Sequence, residues 1–138
     1  MSIHQYKSDK IVVTFDPKRC IHSAMCLMGL PQVFDTQGRP WVQPAKADAE
    51  SIAETIRRCP SGALHYTRID GGPAEQPDAK NSIEPQPGGP YYVRGSIELQ
   101  DAEGQTLTRE TRLALCRCGQ SKRKPFCDNT HRTIVWDG

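Results

Sequence analysis

Six cysteines in 138 residues, divided into two groups of three, constrain this chain more than any other feature. Cys20, Cys26 and Cys59 lie in the first half, and Cys116, Cys118 and Cys127 lie near the end. An even number would suit three disulfides in an exported chain. However, the stretch from Met1 to Lys10 is polar and holds no apolar segment of the kind that directs export. No apolar run approaches the length of a membrane span. The expected compartment is therefore the reducing cytoplasm, where clustered cysteines bind metal more often than they pair. With 36% apolar residues the chain builds only a thin core, and small domains of that kind are often held together by a metal. The net charge of +2 is too small to point to nucleic acid.

Between the cysteine groups, residues 70–90 carry Gly71, Gly72, Pro73, Pro77, Pro85, Pro87, Gly88, Gly89 and Pro90. That composition reads as an extended linker and divides the chain into domains over 1–69 and 91–138. In the first, the β-branched run Ile11–Phe15 predicts a strand and Ser23–Leu30 a short helix ended by Gly29 and Pro31. Val33-Phe34 and Trp41-Val42-Gln43 flank a turn at Gln37-Gly38 and predict a hairpin. Asp48–Arg58 is the clearest helix, with Ala49, Ile52, Ala53 and Ile56 on one face. Acids stand at its start and Arg57 and Arg58 at its end, as the helix dipole favours, and Pro60 stops it just after Cys59. A strand over 63–69 follows. In the second domain, Tyr91–Gln100 and Thr106–Leu115 predict two strands joined at Ala102-Glu103-Gly104, with a basic, cysteine-rich loop behind them.

That loop runs Cys116-Arg117-Cys118 through Ser121 and Pro125 to Cys127-Asp128-Asn129-Thr130-His131. Three thiolates and one imidazole are enough for two irons. Cys116 and Cys118 suit one of them. Cys127 and His131 stand four apart, so a helix starting near Cys127 would bring both to one face for the other. Zinc also accepts three cysteines and a histidine, but its usual first spacing is wider than the single residue found here. The segment closely resembles the CDGSH iron–sulfur family at every fixed position but one, where Asn129 replaces a glycine. Asparagine tolerates a left-handed backbone better than other non-glycine residues. The resemblance implies a [2Fe–2S] cluster held by Cys116, Cys118, Cys127 and His131.

The first group has a looser pattern. Cys20 and Cys26 keep the spacing of a cluster-wrapping loop, Ser23 stands where a middle cysteine would be, and Cys59-Pro60 follows downstream. The loop so offers three thiolates. Residues 11–69 resemble the divergent single-cluster ferredoxins through Asp16–Cys20, Cys26–Phe34, Arg39-Pro40-Trp41 and Arg58–Ala63. The resemblance implies a [3Fe–4S] cluster on Cys20, Cys26 and Cys59, or a [4Fe–4S] cluster with a further ligand, for which Ser23 and His22 are the candidates. It also implies an α+β fold, a ferredoxin-like domain followed by a small β-rich CDGSH domain, as in small bacterial proteins with these two parts. His65, on a predicted strand, reads as structural, His4 as part of a loose terminus, and Trp41 and Trp136 as packing residues.

Arg112, Arg117, Lys122, Arg123, Lys124 and Arg132 crowd the second site. Such a stretch is either a solvated loop or a docking face for an acidic redox partner, a reductase or an oxidase. The loop holds one aromatic, Phe126, and not the series of rings that stacks bases, which speaks against nucleic acid, and nothing points to a membrane. No nucleophile–base set is evident, since Ser23 and Ser121 both lie in cysteine loops without an activating partner. The expected function is one-electron transfer without substrate chemistry. Cluster delivery or redox sensing through a labile histidine-held cluster is the alternative, and a structural zinc protein the second.

A serine hydroxyl binds iron poorly unless deprotonated, so a fourth iron at Ser23 would be weakly held. Ser23→Cys is expected to convert a three-iron centre into a stable four-iron one. Electron paramagnetic resonance reads the change, because the oxidised three-iron form is paramagnetic and the usual oxidised four-iron form is silent. A variant that still holds three irons would show that the loop does not aim residue 23 at the cluster.

Overall fold

The structure, a computed structural model, describes residues 3–17, 19–20 and 28–136. It divides into two compact units, Met1–Cys59 with Ala63–Glu75 and Gln76–Gly138 with Pro60–Gly62.

The sheet of the first unit is antiparallel, in the order β1-β2-β3, with β1 at His4–Lys7, β2 at Ile11–Phe15 and β3 at Leu64–Arg68. His4 is thus not part of a loose terminus: it pairs with Phe15 at the start of a ladder that ends at Lys7 and Val12. The strand escapes sequence reading because it lies at an edge and only Tyr6 turns inward, so there is no alternation to detect. The turn into β2 is made by Ser8, whose N–H donates to Ile11 O at 2.9 Å and whose Oγ accepts from Lys10 and Ile11, both at 3.2 Å.

Helix α1, Ala49–Arg57, forms where its apolar stripe predicts. Asp48 caps it, accepting from Ser51 N at 2.9 Å and Ser51 Oγ at 2.8 Å. Ala49, Ile52, Ala53 and Ile56 join Ile11, Val13, Leu64 and Tyr66 of the sheet, with Val33, Phe34 and Val42, in one core. Each large aliphatic buried here contributes about 1.5–3 kcal/mol. Phe34 and Val42 bridge as the predicted hairpin requires, with Asp35 N–H to Trp41 O at 2.8 Å and Gln43 N–H to Val33 O at 2.9 Å. Trp41 is a packing residue, edge-on to Phe15 at 5.0 Å and near Tyr6 and Phe34. His65 is structural too, its Nδ1 standing 3.1 Å from Glu75 Oε1. Of the expected helix over 23–30, Met28 and Gly29 are helical and the rest up to residue 27 lies outside the described residues.

The second unit is an antiparallel meander of β4 at Ser82–Pro85, β5 at Tyr91–Gln100 and β6 at Thr106–Leu115. β4 comes out of the stretch expected to be linker. All four of its residues are exposed, and it pairs with β5 from Ser82↔Arg94 to Pro85↔Tyr91. A polar strand ending in proline suits a sheet edge and carries no apolar signal. Among the described residues few apolar side chains are buried here, Val93, Leu113, Ala114 and Cys127 among them, and Arg112 and Ser121 are buried with them. Arg112, expected on a basic surface, is only 1% exposed.

Among the described residues the regular structure is therefore mostly strand, in two three-stranded sheets with one α-helix of more than a turn. The α+β expectation holds for the first unit as one helix on a small sheet. A ferredoxin-like arrangement is not evident from these elements.

β5 is interrupted at Gly95, where the register shifts between Arg94 and Ile97. Gly95 has φ +134°, and a side chain there would run into Asn81, whose Cα lies 2.8 Å from the Cβ position. Asn81 Oδ1 meanwhile accepts from Ser96 N at 3.0 Å, which ties the bulge to the approach to β4. Gly95→Ala is expected to destabilise the protein by about 2–4 kcal/mol, backbone strain and overpacking combined, read as a lower midpoint in denaturant. Asn81→Gly in the same background should return part of the loss by removing the side-chain half of the clash, while the contact with the residue 81 Cα and the strain remain.

Candidate metal centres

The second centre is built on the end of β6. Cys116 N–H donates to Pro125 O at 2.8 Å and Cys127 N–H to Ala114 O at 2.9 Å, with Leu115 and Phe126 bridging between them. These bonds fold the loop back on its strand and bring the cysteines from its two ends together.

The four expected residues come as two pairs. Cys116 Sγ and Cys118 Sγ are 3.9 Å apart, and Cys127 Sγ and His131 Nδ1 are 3.6 Å apart. Two ligands on one tetrahedral ion, with metal–sulfur bonds of about 2.3 Å, stand about 3.8 Å apart. Each pair thus has the separation of two donors to one metal. Among the described residues, no three histidine, cysteine or acidic side chains gather into a group that could hold one ion.

No helix starts at Cys127, contrary to the expectation. Asn129 is left-handed, with φ 70° and ψ 8°, and a single 3₁₀ turn, Thr130–Arg132, carries His131. Asparagine takes here a left-handed conformation that glycine adopts most readily and asparagine tolerates. Its N–H points back at Cys127 Sγ, at 3.4 Å. Gln120 N–H does the same for Cys118 Sγ, also at 3.4 Å, behind the left-handed Gly119. Successive N–H groups turned inward this way form a concavity suited to anionic sulfur.

The electrostatics follow from this geometry. Burial pushes the Cys116 thiol up, but the N–H groups of Ser121, Gly119 and Gln120 and the Cys118 thiol outweigh it and bring it below its ordinary value. Cys127 goes the other way: burial, and the charges of Cys116, Asp128 and Cys118, raise it against the Asn129 N–H. A cation at the site would relieve both the burial and the repulsion. Burial and the Arg132 charge hold His131 below its ordinary value, against the pull of Asp128. That favours the neutral imidazole, the form that ligates.

Asp128 has a role the sequence analysis missed. It accepts from Lys122 N at 2.9 Å, Thr130 N at 3.0 Å and Thr130 Oγ1 at 2.6 Å, and its carboxyl is lowered to about 2 despite the opposing effect of burial. An aspartate two residues before a threonine is the available signal for such a turn. Ser121 is likewise committed to structure, donating to Phe126 O at 2.6 Å and accepting from Arg123 N at 3.0 Å.

In the first unit, Cys59 stands just past the end of α1, its N–H on Ile56 O at 2.9 Å. It is buried in the core, and Cys20 packs against the same core half-buried. Cys26, Ser23 and His22 lie outside the described residues.

Asp128→Ala strands three donors of the second loop. The expected loss is about 1–3 kcal/mol of stability, seen as a lower unfolding midpoint, with Asp128→Asn between Ala and wild type because it keeps one acceptor oxygen. Equal midpoints for Asp128→Ala and wild type would show that other contacts set the loop.

Residues 6–69 match the family described as divergent 4Fe-4S mono-cluster, and residues 88–132 match the one described as iron-binding zinc finger CDGSH type. The chain is 38% identical over 61 residues to the "Uncharacterized protein YjdI" of Escherichia coli strain K12, a match that covers 44% of this chain and 80% of that protein. The same figures hold for the protein of that name in Escherichia coli O157:H7. The chain therefore belongs to the divergent 4Fe–4S mono-cluster family, and it carries a CDGSH-type iron-binding domain behind that family's domain.

Proposed function

We propose that this protein is a one-electron carrier with two iron–sulfur centres and no substrate chemistry of its own. Cys116, Cys118, Cys127 and His131 would hold a [2Fe–2S] cluster. Cys20, Cys26 and Cys59 would hold a [3Fe–4S] cluster, or a [4Fe–4S] cluster completed at Ser23 or His22. The observation that carries the reading is the division of the second site into two donor pairs 3.9 and 3.6 Å wide. One zinc ion needs four donors around one point, whereas two irons need two on each. Iron–sulfur clusters accept and release single electrons with little rearrangement. The inward N–H groups favour retention of the anionic sulfurs.

The partner we propose is an acidic redox protein, a reductase or an oxidase. Lys122, Arg123, Lys124 and Arg132 are exposed around the loop. The one acid among them, Asp128, is turned into the loop's own hydrogen bonds. A face of one sign speeds encounter with the opposite sign, and more so at low salt. Among the described residues no helix is long and apolar enough to cross a membrane. A second reading, delivery of the [2Fe–2S] cluster to another protein, draws on the half-exposed position of His131 in its short surface turn.

Iron and acid-labile sulfide counted in anaerobically purified protein test the proposal. Cys116→Ala should lose the [2Fe–2S] complement alone, and Cys59→Ala the other cluster alone. A colourless protein carrying zinc would overturn both assignments. Acidification should release the second cluster first, because a proton competes with iron for the imidazole. His131 is held below its ordinary value, so the loss should begin below the usual histidine range, near pH 6.5. His131→Cys should move the onset to lower pH, and an unchanged onset would remove His131 from the ligand set. Appearance of the cluster spectrum on an added apo-ferredoxin would favour delivery over electron transfer.

A further inference from the structure

Arg117 and Trp136 connect the two donor pairs by a route that none of the four ligands supplies. Arg117 stands between Cys116 and Cys118, so it belongs to the cysteine pair. Its Nε donates to Gly89 O at 2.9 Å and its Nη2 to Gln86 O at 3.0 Å. Those carbonyls sit in a closed turn, with Gly89 N–H on Gln86 O and Gln86 N–H on Pro90 O, both at 2.9 Å. The guanidinium carbon lies 5.8 Å from the ring centre of Tyr91 and 4.9 Å from that of Trp136. Trp136 in turn meets His131, of the other pair, edge to face, with ring centres 6.4 Å apart at 74°.

A guanidinium fixed by two carbonyls and two aromatic rings cannot swing into solvent as a surface arginine does. Its charge stays fixed on the residue that separates the two cysteines in the chain. The indole attracted to that charge presses on the imidazole, whose remaining freedom is rotation of a half-exposed side chain on a single 3₁₀ turn. A packing tryptophan alone would not need a cation behind it. Here the cation belongs to one half of the ligand set and the imidazole to the other.

We propose that Arg117 and Trp136 are positioning residues of the second centre. Arg117 fixes a positive charge at the cysteine pair, and Trp136, held on that charge, keeps the His131 ring turned toward Cys127. The proposal rests on the reading of these four residues as ligands. Two consequences separate the roles. The fixed cation favours the reduced, more negative state and so raises the reduction potential. The indole governs how readily the histidine lets go.

The test uses the full chain with both clusters, following the reduction potential of the second centre and the rate at which its visible band is lost at constant pH and salt. Arg117→Gln should lower the potential, and Arg117→Lys, which keeps the charge, should restore most of it. Trp136→Leu should speed the loss about fivefold, the scale of one cation–π contact, while Trp136→Phe, which keeps an aromatic face, should stay within about twofold of wild type. In the Arg117→Gln background, Trp136→Leu should add little, because the ring has already lost its anchor. Additive losses in the double variant, or a wild-type potential in Arg117→Gln, would overturn the proposal. A wild-type chain without iron at the second site would overturn the ligand reading itself, and it is distinguishable because it shows before any variant is compared.

Discussion

Two backbone hydrogen bonds, Cys116 N–H to Pro125 and Cys127 N–H to Ala114, hold the second centre in being. They fold a basic loop back on β6 and set the cysteines from its two ends beside one another. The thiol spacing, the inward N–H groups and the seat of His131 all presuppose that return. The sheet supplies the rigidity: β6 is paired along its length with β5 and ends at Leu115, the residue before the first thiol of the site. The chemistry so begins where the regular ladder stops, on a short loop whose anchor is a strand.

The two units reach order by different means. The first buries a continuous apolar core between one helix and three strands, with Cys59 inside that core and Cys20 packed against it. The second buries only a handful of apolar side chains, together with a whole arginine, Arg112. A domain that thin gains little from hydrophobic burial alone. Its polar scaffolding, Asp128 and Ser121 above all, carries weight that a larger core would otherwise bear.

Much of this was legible in the residues, and the exceptions share a cause. β2, β5 and β6 appear where their apolar and β-branched runs place them, and α1 where its stripe and its Asp48 cap place it. β1 and β4 were missed because edge strands bury almost nothing, so their composition is that of a loop. The meeting of Cys127 and His131 was readable from spacing, but its means was not. Four residues apart suggests a helical turn, whereas Asp128 and Asn129 make a left-handed corner instead. The contact of Arg117 with the turn at Gln86–Gly89 could not be read at all, since it joins residues about thirty positions apart through main-chain carbonyls that any sequence possesses.

The left-handed Asn129 has a consequence for the protein before it meets any metal. A glycine reaches φ 70° without cost, but it leaves the unfolded chain with more conformations to surrender when the loop closes. Asparagine narrows that starting ensemble, and in the folded loop the side chain of the neighbouring Asp128 holds three donors of the protein itself. Less disorder then has to be removed at the moment of capture. The loop is in that sense a mould shaped by folding, and the affinity of the site comes in part from entropy surrendered at that stage.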